Sequence, residues 1–198
     1  MIHNAVVRRW LSAGLLWLAS AGLATSHPDI AVTARVLFDV EAGRLVSVAE
    51  SLAIDEASSR RLIARFDANG DSIFDPAERE AMRQALTGDL GGIGFFAELS
   101  VDGERRALGV PDAFDASISD GVVTVVFGFR LEEPVALAGR KLELVLRDRD
   151  YTAAVAFAAD RPALVRGGEG CSVSRETRPA DAYFGGLVVP EAVVLACR

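Results

Sequence analysis

Residues 67 to 78 read DANGDSIFDPAE, a stretch in which oxygen-bearing side chains recur at alternate positions: Asp67, Asn69 and Asp71, with Asp75 and Glu78 following. Alternate residues of a tightly turning loop point inward, so the first three can converge on one ion. A donor set of carboxylate and amide oxygens, with no imidazole or thiolate among it, is the chemistry of a hard cation such as calcium. A plainer reading competes for part of the segment. Asp75-Pro76-Ala77-Glu78 is also a capping box with proline at the first helical position, which accounts for Asp75 and Glu78 without any metal. Capping does not account for Asp67, Asn69 and Asp71, whose two carboxylates would repel each other across an empty loop.

The flanking segments supply what must position these oxygens. Asp55 is a plausible helix N-cap, and Leu62, Ile63 and Phe66 fall on one helical face of the segment that ends at Phe66. A second helix is expected from Pro76 to about Leu86, with Met82, Ala85 and Leu86 apolar, ended by the glycine-rich run Gly88 to Gly94. Before this pair, apolar residues alternate from Ile30 to Phe38, and Leu45 to Ile54 is extended, so the two segments read as a hairpin about the turn Glu41 to Arg44. After it the chain reads as short strands separated by turn signals: Phe95–Val101, Arg106–Leu108, Phe114–Ser119, Val122–Arg130, Lys141–Arg147, Tyr151–Ala158, Cys171–Arg175 and Ala192–Cys197. Asp102-Gly103 and Asp120-Gly121 mark two of the turns. The expected class is α+β: one mainly antiparallel, sandwich-like β-rich domain over 27–198, with a helix-loop-helix inserted at about 55–88.

That loop resembles an EF-hand over its twelve residues and the short helices on either side. The resemblance puts Asp67, Asn69 and Asp71 at positions one, three and five. Ile73 would lend its backbone carbonyl at position seven, Asp75 would act directly or through water at nine, and Glu78 would close the shell with both carboxylate oxygens at twelve. Phe74 takes the apolar position eight. Ser72 departs from the pattern, standing where a glycine supplies the sharp turn, and a left-handed side-chain residue there costs on the order of 1 kcal/mol. The expected consequence is weak affinity, in the range of extracellular calcium modules, about 10⁻⁴ to 10⁻³ M. EF-hands usually pair, and only one such loop is present, so a switch of the paired kind is not expected.

The N-terminus fits that compartment. Arg8 and Arg9 precede an apolar stretch from Trp10 to Ala24 that carries no charge; it is shorter than the roughly 20 residues needed to span a bilayer. This is the order of a secretory signal peptide over residues 1–26, with cleavage before His27, or alternatively before Thr25. A periplasmic location and no stable membrane insertion after cleavage follow. Removal takes two arginines and no acid, so the formal net charge goes from −7 to −9, which repels nucleic acid. The two cysteines, Cys171 and Cys197, both remain and are expected to close as a disulfide in an oxidising compartment, tying the C-terminal strand to the body for roughly 3 kcal/mol.

Other segments extend a second resemblance across most of the mature chain. His27-Pro28-Asp29, Ile54-Asp55-Glu56, the Asp148-Arg149-Asp150-Tyr151 segment and the late cysteine pair are similar to a family of periplasmic proteins of unknown function, described as the periplasmic component of an uncharacterised ABC-type transport system. The resemblance implies an inner-membrane transporter, or another periplasmic protein, as partner. It also implies handling of a transition metal such as nickel, cobalt or zinc through early histidines. Here the second of those histidines is Asp29, and His27 is the sole histidine after residue 26. A zinc site of several imidazoles is therefore ruled out, leaving the α-amino group and imidazole of His27 with Asp29 as the alternative metal site.

Enzyme chemistry finds little footing. With one histidine in the mature chain and Cys171 expected oxidised, neither a Ser-His-Asp nor a Cys-His arrangement can be assembled readily. Asp148 and Asp150 about Arg149 read as solvated turn charges. The run Gly92-Ile93-Gly94 mimics a dinucleotide fingerprint but follows a helix and precedes a strand, the reverse of what that motif requires. The expected function is thus a calcium-binding accessory module, without catalysis.

Overall fold

The computed structural model describes residues 28–198. The proposed signal peptide and His27 lie outside the described residues. Two strands come first among the described residues, β1 (Ile30–Glu41) and β2 (Arg44–Ile54), joined as the expected antiparallel hairpin. Their alternation is reflected in burial: Val32, Ala34, Val36, Phe38 and Val40 of β1 face the core while the residues between them face outward. Helices α1 (Glu56–Phe66) and α2 (Pro76–Gly91) follow, and then β3 (Ala97–Val101), β4 (Glu104–Arg106), β5 (Ala113–Ser119), β6 (Val122–Ala136), β7 (Lys141–Leu146), β8 (Ala153–Phe157), β9 (Ala163–Arg166), β10 (Cys171–Thr177) and β11 (Glu191–Cys197).

The strands form two sheets. One has the order β5-β6-β2-β1-β8, with β9 also on β1; the other has the order β10-β11-β7-β3-β4. Their inner faces share one apolar cluster, to which the helices add Phe66, Phe74 and Met82. Most neighbours are antiparallel, as expected. β8 and β9 are the exceptions: both run parallel to β1, lying end to end along its free edge, β8 against Ile30–Ala34 and β9 against Val36–Asp39. The segment Ala163–Arg166 had no place among the expected strands, being too short to show a period of its own.

Two further departures occur around α2. The helix runs on through Gly88 to Gly91, beyond the expected stop near Leu86, because Leu90 continues the apolar face into the core cluster. The strand expected from Phe95 starts only at Ala97, since Phe95 and Phe96 both adopt left-handed backbone, at φ 56° and 65°. That conformation is unfavourable for bulky residues, and it turns both rings inward. Phe95 stacks at 5.0 Å from Phe127 and 5.2 Å from Phe129.

Cys171 and Cys197 stand directly opposite each other in the β10–β11 ladder and are bonded as a disulfide. Among the described residues, no helix is long and apolar enough to cross a membrane.

Candidate functional site

The loop between α1 and α2 is held by its own acids. Asp67 Oδ1 accepts from the backbone N–H of Gly70 (2.9 Å) and of Asp71 (3.2 Å), while Oδ2 accepts from Ser72 N–H (3.0 Å). Asn69 Oδ1 accepts from Asp71 N–H, and Asp71 Oδ1 from Ile73 N–H, at 2.9 and 2.8 Å. Each alternate side chain thus turns back on the N–H two residues or more ahead, which coils the main chain tightly. Ser72 lies in the left-handed region at φ 63°, as a residue at the glycine position must, and Gly70 joins it at φ 72°. Ile73 is 66 % exposed, and Phe74 is buried in the core at 2 %. Phe74 therefore anchors the loop to the core.

Glu78 closes the loop. Although it belongs to α2, its Oε1 accepts from Ala68 N–H at 2.8 Å and Asn69 N–H at 3.4 Å, at the other end of the loop. Its Oε2 accepts from Asp75 N–H at 2.9 Å, and Asp75 Oδ1 accepts from Ala77 and Glu78 N–H. The capping box is therefore fully formed. Glu78 carries both duties at once, one oxygen capping α2 and the other binding the loop entrance. Among the described residues, no group of three or more His, Cys, Asp and Glu side chains is gathered as a metal cage; the loop carboxylates are engaged with main-chain N–H groups. In chemistry the residues fit calcium, since every donor from Asp67 to Glu78 is an oxygen.

Asp29 is placed away from this loop, at the start of β1. Its backbone N–H donates to Thr152 O at 3.1 Å. Nearby, Asp55 N–H donates to Ala31 O at 2.9 Å while Asp55 Oδ2 accepts from Ala31 N–H at 2.9 Å. Asp55 also caps α1 through Ser58, whose N–H and hydroxyl both donate to it. Hydrogen bonds from Ser58 and Ala31 hold its pKa down at about 2. Three segments distant in sequence, around residues 29, 55 and 150, thus meet at one end of the first sheet.

Asp148 departs from the expectation of a solvated turn charge. It is 3 % exposed and accepts from Thr152 N–H, Thr152 Oγ1, Ala153 N–H and Asp150 N–H. Burial opposes its ionisation, but these hydrogen bonds outweigh burial and keep its pKa below the ordinary aspartate value. Its task is to fold the turn that leads into β8. Arg149 pairs with Glu98 at 2.7 Å rather than with either neighbouring aspartate.

The sequence of the family described as "Protein of unknown function (DUF1007)" matches residues 12–183, which covers most of the chain and takes in all three of the converging segments. The chain belongs to this family. Within the match lie β1 to β10, both helices and the acidic loop; β11 with Cys197 lies beyond it. No curated protein and no solved structure matches the chain.

Two features of the structure had no forerunner in the sequence reading. Glu50 is 1 % exposed, and neither of its carboxylate oxygens has a hydrogen-bond partner. Its place in β2 between the buried Val48 and Leu52 was visible from strand alternation alone. The second is a cleft between the helices and the first sheet, rimmed by Arg61 and Arg65. Its sequence signal is an arginine pair at four-residue spacing on the stripe that also carries Leu62.

Proposed function

We propose that the protein is an exported, periplasmic calcium-binding protein whose EF-hand-like loop clamps α1 and α2 against a β body serving as an accessory module. An inner-membrane transporter, or another periplasmic protein, is the partner this reading calls for. The observation that supports it most is the backbone of Ser72. A serine held at φ 63° with its N–H on Asp67 reproduces the turn required between positions five and seven of a calcium loop. Glu78 reaching back to Ala68 and Asn69 supports the same reading, because a position-twelve carboxylate has to span that distance to complete the shell. Asp67, Asn69, Asp71 and Glu78 would give side-chain oxygens, Ile73 its carbonyl, and Asp75 a direct or water-mediated contact. Calcium would supply the positive charge that holds Asp67, Asp71 and Glu78 together and thereby fixes the angle between the two helices. With a single loop, the role is structural support more than switching.

A second reading, transition-metal handling through His27 and Asp29, draws support from the meeting of the segments around residues 29, 55 and 150. Metal titrations of the wild type, His27→Ala and Glu78→Ala separate the two. The calcium reading expects millimolar-range calcium binding that Glu78→Ala removes and His27→Ala leaves intact. Tight nickel or zinc binding, lost in His27→Ala and retained in Glu78→Ala, would replace it with the second.

A further inference from the structure

The two helices do not close completely over the first sheet. Between them lies a cleft of about 340 Å³ whose walls include Val32, Leu52, Leu62, Leu86, Leu90 and Phe96. The walls are apolar almost throughout, and the volume is that of a small-molecule site. Phe96, part of the wall, is one of the two phenylalanines in left-handed backbone; strain of this kind concentrates where a surface has to be shaped for a ligand.

The rim has the opposite character. Arg61 and Arg65 border the cleft on α1, one helical turn apart, an arrangement in which like charges destabilise a helix. Most arginines of this acidic chain are paired: Arg60 with Glu56, Arg79 with Asp115, Arg83 with Glu80, Arg166 with Asp39. Among the described residues, Arg61 and Arg65 have no carboxylate partner. Arg61 donates to the Ser58 hydroxyl at 2.9 Å, and the Arg65 guanidinium lies 4.8 Å from the centre of the Phe66 ring. Both contacts leave donors over for an anion, since a guanidinium carries five N–H groups. An apolar cleft bordered by two arginines is complementary to a molecule with an alkyl chain and a single negative head.

We propose that this cleft binds a fatty-acid-type anionic amphiphile, with its alkyl chain between the helices and the sheet and its carboxylate between Arg61 and Arg65. No residue of the acidic loop lines this site. Carboxylate recognition by guanidinium is a charge-assisted, two-pronged hydrogen bond, so the head contributes a large share of the affinity and makes it salt-dependent.

Calorimetric titration of dodecanoate, below its micelle concentration and in chelator-treated buffer, tests the proposal on the purified chain. The expected result is saturable one-to-one binding, weakened at least about tenfold in Arg61→Ala/Arg65→Ala. Leu86→Trp, which fills the slot without touching the arginines, should abolish it. Dodecanol, which has the same chain and a neutral head, should bind about tenfold less well. Absence of saturable dodecanoate binding overturns the proposal, as does equal affinity for dodecanol, or affinity unchanged in both variants. Concentration-dependent dimerisation that Leu86→Trp abolishes, without dodecanoate binding, would assign the cleft to a second copy of the chain and also overturn it.

Discussion

At the scale of single residues, Glu50 and Glu78 are two buried acids with opposite circumstances. Glu78 has each oxygen on a main-chain N–H, whereas Glu50 stands between Val36 and Phe127 of the neighbouring strands with no partner. Burial pushes the Glu50 carboxyl well above the ordinary range. The unfolded chain releases this proton near pH 4.3 while the folded chain keeps it, so this group lowers stability progressively as pH rises above about 4 and up to its folded pKa. Glu50→Gln removes that titration with little change of shape. Urea midpoints between pH 5 and 8 should decline less in the variant than in the wild type; parallel declines would show that Glu50 ionises freely in the fold. Asp71 and Glu78 form a second contrast. Asp71→Asn keeps an oxygen for Ile73 N–H and should leave metal-free stability within about 0.5 kcal/mol, as for a surface substitution. Glu78→Gln keeps one acceptor oxygen where the carboxylate uses two, so the N–H of Ala68 or of Asp75 loses its partner, at a cost of about 1 kcal/mol in denaturant unfolding without any metal.

At the scale of elements, much was readable because local chemistry decides it. Asp55 caps α1, Asp75 and Glu78 cap α2, and Asp102-Gly103 and Asp120-Gly121 turn their hairpins, all from residues within a few positions of one another. The extent of α2 was less readable. Gly88 and Gly91 are poor helix residues, but burial of Leu90 outweighs the roughly 1 kcal/mol that each glycine costs. Phe95 and Phe96 show the same precedence of packing over propensity: their sequence suits a strand, and burial of both rings, with Phe95 against Phe127 and Phe129, goes with another backbone. β9 was unreadable for a different reason. Its four residues become a strand only because β1 offers them an edge, and nothing in Ala163–Arg166 records that edge. The C-terminal disulfide belongs to this scale too. It closes a separation of 26 residues between strands that already pair along their whole length. Reduction, or the Cys171→Ser/Cys197→Ser double variant, should lower stability by about 3 kcal/mol in chemical denaturation. Circular dichroism should still report the sheet; its loss would mean that the bridge is needed to form the ladder.

At the scale of the whole molecule, the helix pair packs on the sheets and shares their core through Phe66, Phe74 and Met82. The acidic loop joins the helices at one end, and the cleft opens between them and the first sheet. Sequence spacing made the loop visible because all its oxygens fall within twelve consecutive residues. Beyond its arginine pair the cleft left no sign in the sequence, because its walls come from β1, β2, β6, β8, α1, α2 and the segment at Phe96, which only the tertiary fold assembles. The parallel placement of β8 on β1 is what brings the segments around residues 29 and 150 together, and its only local sign is the buried turn acid Asp148. The claim on which this view of the molecule rests is that the loop holds calcium. Calorimetric titration of calcium into the purified chain, with Asp71→Asn as control, tests it most directly. The account predicts one calcium per chain, with a dissociation constant of about 10⁻⁴ to 10⁻³ M and several-fold weaker binding in Asp71→Asn. No heat in the wild type at millimolar calcium, or a heat that Asp71→Asn leaves unchanged, would contradict it.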